Sequence, residues 1–191
     1  MDNDRSDCRP SVTESHNQRA PGSARKATSI CPGCGVDLPA ANSPTHAYMG
    51  ASPACWARYG ELLAREYENP ALFAAVHQLT VDAYAVQHPG VPERRTIQSV
   101  ALHLSTLCLV LERGADPSKG PKLHELIVER PIWHWLAPPE PNGTLTVLDV
   151  LSTRSPGEHE AAVRAWAEDI WRAWASHHAT VRCWLDQSID A

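Results

Sequence analysis

The sequence predicts an all-α protein, a bundle of about four main helices, and three observations carry that expectation. The hydrophobic residues, 43% of the chain, are dominated by Ala, Leu and Val with seven Trp and a single Phe, and few stretches alternate as a strand would. Cap-plus-proline pairs at Ser52-Pro53 and Asn69-Pro70, and a capping box at Ser155-Pro156-Gly157-Glu158, mark helix starts. Between these marks apolar side chains recur at helical spacing. A chain of 191 residues is long enough to bury one core, so a single domain over residues 30–188 is expected behind a tail.

That tail, residues 1–29, is polar, mixed in charge and nearly free of large apolar side chains, and is read as disordered. The first helix should start at Pro53, with Trp56, Tyr59, Leu62 and Leu63 inward and Arg58, Glu61, Arg65 and Glu68 largely outward. A second runs from Pro70 to Gln87 or His88, where Pro89-Gly90 stops it; Asp82 is its one charged residue, which predicts burial on most sides. Asp82 is expected to pair with Arg94 or Arg95, or to anchor a loop. A third helix spans about Glu93 to Arg113, uncharged between Thr96 and Leu111, with a polar stripe of Thr96, Ser99, His103 and Thr106. Prolines then break the chain into an arm with a short helix over Lys122–Glu129 and an aromatic clamp of Trp133 and Trp135 about His134. Another short helix is read within Thr144–Leu151. One long final helix follows Ser155, with Val163, Trp166, Ile170, Trp174, Val181 and Trp184 on one stripe.

Composition excludes several functions. A formal net charge of −5 and the lack of any basic run interleaved with aromatics argue against nucleic acid as a partner. No stretch approaches the roughly 18 apolar residues of a membrane span, and no apolar signal-peptide core opens the chain, so a cytoplasmic location is expected. In that reducing setting the six cysteines read as thiols or metal ligands, with Cys8, Cys108 and Cys183 free.

Cys31-Pro32-Gly33-Cys34-Gly35 is the strongest chemical signal in the chain. Two thiolates two residues apart can grip one ion from a single turn, and the glycines let the backbone wrap and aim amide hydrogens at sulfur. The helix comes too late after Cys34 for a thioredoxin-like redox motif. A zinc knuckle is therefore expected, with His46 and Cys55 as the nearest further donors in a closed, structural Cys3His set.

A second constellation joins His77, Tyr84 and His88 on the second helix to Ser99 and His103 on the third. Facing stripes would bring imidazoles and a phenol together in an apolar interior, suited to a small ligand, a second metal or acid/base work. The competing reading is that each histidine is satisfied by backbone or water. His177-His178 is read as packing beside Trp174 and Trp184.

With the knuckle, Thr45-His46-Ala47-Tyr48, Ser52-Pro53-Ala54-Cys55-Trp56, the run from His77 to Gly90 that contains Asp82-x-Tyr84-x-x-Gln87-His88-Pro89, and Gln98-Ser99-Val100-Ala101-Leu102-His103-Leu104, the chain resembles an uncharacterised bacterial family of unknown function from about Ile30 to Leu185. The resemblance implies no activity. It does place Asp82, Tyr84, Gln87, His88 and His103 within the family's pattern.

Three functional readings follow. The leading one is a small zinc-binding protein whose bundle presents a His/Tyr pocket. A second is a non-catalytic module that docks a protein partner through the Trp-rich arm or the last helix. The third is a metal-dependent hydrolase or oxidase whose ion sits on His77, His88 and His103.

Overall fold

A computed structural model describes residues 27–128 and 133–189. The chain opens with a two-stranded antiparallel hairpin, β1 (Thr28–Ile30) and β2 (Asp37–Pro39), with Ser29 opposite Leu38. The tail expected over 1–29 lies outside the described residues up to position 26, as does Cys8, and Thr28 and Ser29 belong to β1. Helices α1 (Pro53–Tyr67), α2 (Pro70–Gln87), α3 (Arg94–Leu111), α4 (Gly120–Val128), α5 (Val147–Leu151), α6 (Pro156–Ala173) and α7 (His178–Ile189) make the rest, so the fold is all-α as expected. None of the described helices is long and apolar enough to cross a membrane.

Local chemistry sets the boundaries. Ser52 Oγ accepts from Cys55 N and Asn69 Oδ1 from Leu72 N, each ahead of a proline whose missing N–H costs nothing in a first turn. Thr146 and Asp149 form a full capping box on α5. At α6, Ser155 caps Glu158 N, but the Glu158 carboxylate reaches one residue further back, to Arg154 N.

α2 lies at the centre, packed chiefly against α6 and α3, and ten of its residues from Leu72 to Gln87 are buried. Its polar side chains are consequently answered from other elements. Gln87 Oε1 accepts from Trp166 Nε1 at 3.1 Å, while Gln87 Nε2 donates to the carbonyls of Asn142 and Leu145. Asn142 returns two bonds to the carbonyls of Val86 and Gln87 and accepts from Trp174 Nε1. The proline-rich arm is thus fastened to the end of α2 by amide groups as well as by apolar packing. Trp133 and Trp135 are half-buried, and Leu136 between the arm and the core is buried.

The single long final helix is corrected to two. Trp174 leaves helical geometry (ψ 16°) and a 3-10 turn over Ala175–His177 separates α6 from α7. No Gly or Pro marks the break. It is held instead by His178, whose ring stacks on Trp171 with centroids 3.7 Å apart and whose Nε2 bonds the Trp171 carbonyl at 2.8 Å, and by His177 Nε2 on the Ala137 carbonyl.

Glu66 near the end of α1 is fully buried and saturated: Oε1 accepts from Thr80 Oγ1 at 2.5 Å and lies 3.1 Å from His159 Nε2, and Oε2 lies 2.7 Å from His77 Nδ1. Burial pushes its carboxyl up, but the bonds from His159, His77 and Thr80 outweigh it and hold the pKa below the ordinary value of 4.5. Stabilisation of that sign is complete above the unfolded pKa and is lost as pH falls through it toward the folded one. Glu66→Ala is therefore expected to cost roughly 3–5 kcal/mol, the range for unpairing a buried charged contact, read as a lower urea midpoint. Wild type should also lose stability below about pH 4.5 more steeply than Glu66→Gln, measured by urea unfolding across pH.

Candidate metal centre

Four donors from three parts of the chain converge beneath the hairpin. Cys31 and Cys34 come from the β1–β2 turn, which is closed by Gly35 N to Cys31 O and Cys31 N to Val36 O, both 2.9 Å. Gly35 has φ 73°, a left-handed conformation that lets the turn reverse without strain. Cys55 sits in the first turn of α1, and His88 caps the C-terminus of α2. The ligand atoms of Cys31, Cys34, Cys55 and His88 all lie within 4.8 Å of one another, and the group could hold a metal ion. Cys34 Sγ is 3.7 Å from Cys55 Sγ, and Cys55 Sγ is 3.4 Å from His88 Nε2.

The surroundings prepare these atoms for coordination. His88 Nδ1 lies 2.8 Å from the Tyr84 carbonyl; donation there holds one ring proton on Nδ1, so that loss of the other frees an Nε2 lone pair toward the sulfurs. Ser52 N donates to Cys31 Sγ at 3.4 Å, and Tyr84 Oη donates to Cys55 Sγ at 3.6 Å. The tyrosine stacks between Tyr59 (3.8 Å) and His88 (4.0 Å), fixing the imidazole plane. Hydrogen bonds from Cys34 and Cys55 hold the Cys31 thiol well below its ordinary range, whereas Cys55, donating to those neighbours, is pushed up. Burial pulls His88 down, but bonds to Cys31 and Cys34 win and raise it to about 9. Three sulfurs and an imidazole packed this closely share protons that a cation would replace.

His46, the expected fourth ligand, is replaced at this position by His88. The backbone explains it: Gly50 N bonds the His88 carbonyl at 3.0 Å and Met49 pairs with Pro89, so the 46–51 loop runs alongside the end of α2. Its histidine is left edge-on to Tyr48 (4.3 Å) and beside Trp56 (5.2 Å), with burial lowering its pKa.

The five residues expected to share a second pocket go to three places. Tyr84 and His88 serve the sulfur cluster. His77 pairs with Glu66, its ring stacked on Phe73 at 4.2 Å. His103 Nδ1 lies 2.7 Å from Asp82 Oδ1 and so takes the place expected of Arg94 or Arg95, while Ser99 lines a cavity of about 440 Å³ beside it. His77, His88 and His103 therefore do not meet at one ion. His124 of α4, not singled out in the sequence, joins Asp82 and His103 in another group whose ligand atoms lie within 4.8 Å.

No curated protein and no solved structure matches the chain. Residues 29–175 match the family of unknown function DUF5946, and the span takes in the hairpin from its second residue, all four donors beneath it and the central helices.

A Cβ built on Gly33 would stand 2.5 Å from His88 Cδ2, 2.8 Å from Gln87 O and 2.9 Å from Gly50 O. Gly33→Ala must push the turn off the imidazole, and is expected to weaken metal retention at a cost of roughly 1–3 kcal/mol, measured by competition with a chromophoric chelator while helical circular dichroism is unchanged. The chain belongs to the DUF5946 family.

Proposed function

We propose that this is a zinc protein whose ion is held by Cys31, Cys34, Cys55 and His88 and is structural: it locks the hairpin and the 46–51 loop onto the adjoining ends of α1 and α2. The donor spacing carries the reading. Ligands at about 2.3 Å (sulfur) and 2.0–2.1 Å (nitrogen) around a tetrahedral ion stand about 3.8 Å apart for two sulfurs and about 3.6 Å for sulfur and nitrogen. The separations here are 3.7 and 3.4 Å. Three soft thiolates and one imidazole select zinc over the harder divalent cations, and four protein donors leave no position for water or substrate.

Cys55 is held in the first turn of α1, where its amide donates to Ser52 Oγ, and the Ser52 amide donates to Cys31. Those bonds need no ion, so the site is shaped before loading and the ion adds the cross-link. A bundle anchored in this way presents its remaining polar groups, on the far side of α2, in fixed positions.

Elemental analysis of purified protein should return one zinc per chain for wild type and His46→Ala, and much less than one for Cys34→Ser and His88→Ala. Loss from His46→Ala with retention in His88→Ala would reverse the assignment. Chelation should lower the melting temperature of wild type by several degrees and leave that of His88→Ala unmoved.

A further inference from the structure

About one and a half turns before the sulfur cluster, α2 carries a group with different chemistry. Asp82 is fully buried, and His103 Nδ1 and Gln78 Nε2 both approach its Oδ1, at 2.7 and 2.8 Å. Its Oδ2 is buried and has no hydrogen-bond partner among the described residues. A buried carboxylate oxygen left bare is costly, yet Gln78 spends its second donor on His124 Nε2 at 3.1 Å instead of on Oδ2. That bond makes His124 Nε2 an acceptor, an unprotonated nitrogen 3.8 Å from Asp82 Oδ1. Two imidazoles thus flank one carboxylate whose second oxygen is unsatisfied, and the three side chains offer ligand atoms that all lie within 4.8 Å of one another.

The geometry points to a second metal site: we infer that Asp82, His103 and His124 bind a divalent first-row transition ion of the zinc, iron(II) or cobalt(II) kind, with open coordination positions for an anionic oxygen-donor ligand. Donors about 2.1 Å from an ion at 90–109° to one another lie roughly 3.0–3.4 Å apart. The separations of Asp82 Oδ1 from His103 Nδ1 and His124 Nε2, 2.7 and 3.8 Å, bracket that edge, so the ion enters by displacing the Nδ1 proton of His103 to solvent and with shifts of a few tenths of an ångström. Two histidines and one carboxylate without sulfur suit such borderline cations, and three protein donors leave positions free.

Those positions have a neighbour in the cavity of about 440 Å³ that His103 and Ser99 line with Tyr48, Arg95, Gln98 and Trp133. Arg95 is the only residue in that lining with a permanent charge, and Trp133 Nε1 is a buried donor without a partner among the described residues. A guanidinium and a spare indole N–H suit an anion, a carboxylate or phosphate of small size, whose oxygen could complete the coordination. The site shares no ligand with the sulfur cluster, so either assignment can fail alone.

The test is titration of the zinc-loaded full chain with cobalt(II), followed by absorption and by equilibrium dialysis with elemental analysis. One equivalent should bind to wild type with weak ligand-field bands and no thiolate-to-cobalt charge transfer. Binding should fall at least tenfold in His124→Ala, whose partly exposed side chain can be trimmed with little risk to folding, and in Asp82→Asn, with the resident zinc retained in both. Absence of bound cobalt in wild type, a bound ion showing thiolate charge transfer, or undiminished binding in His124→Ala would each overturn the inference.

Discussion

Four side chains from three separate stretches meet at one point beneath the amino-terminal hairpin, and the packing around them is arranged about that meeting. The hairpin has three residues per strand, far too little to be stable by itself. Its turn supplies two sulfurs, and the other two donors come from the beginning of α1 and the end of α2. Consecutive antiparallel helices bring those two ends together, so the contact staples the entrance of the bundle where the chain changes direction. Packing depends on it as well: Tyr84 is wedged between Tyr59 and His88, and its hydroxyl ends on Cys55, which turns a core aromatic into part of the centre.

α2 is organised by the same demand. A helix buried on most sides carries few polar groups, and each one here is committed. Asp82 faces His103 and His124, Tyr84 supports the sulfurs, Gln87 ties down the arm and receives the Trp166 indole, and His88 points into the cluster. The Asp82-x-Tyr84-x-x-Gln87-His88-Pro89 run therefore contributes to two groups of potential metal donors and to one structural joint on a single helix, and Pro89 follows where the helix ends at His88. Buried polar networks in which most groups are answered favour one arrangement over others.

Much of this was legible in the residues. The helical fold, the starts of α1, α2 and α6, the knuckle turn and the convergence of Cys55 on it followed from caps, prolines and spacing. The fourth donor was not, because proximity along the chain favoured His46, whereas His88 reaches Cys55 from 33 residues away. A signal existed: a histidine at a helix end just before Pro-Gly leaves the regular stripe and can face a neighbouring loop. The stripe through His77, Tyr84 and His88 correctly joined the last two, whose rings stack, but spacing within one helix says nothing of what stands opposite, and Glu66 claims His77. His124 was invisible for the same reason, since only the packing of α4 brings it to Asp82. The break at Trp174 had no local mark either, being made by histidines bonding back to carbonyls.

The central claim, a closed sulfur-rich zinc centre completed by His88, is tested most directly by X-ray absorption at the zinc edge of the purified protein. The account requires a first shell of three sulfurs at about 2.3 Å and one nitrogen at about 2.0–2.1 Å, with the nitrogen signal of an imidazole lost in His88→Ala. A shell of oxygen and nitrogen alone, or an imidazole signal unchanged in that variant, would contradict it.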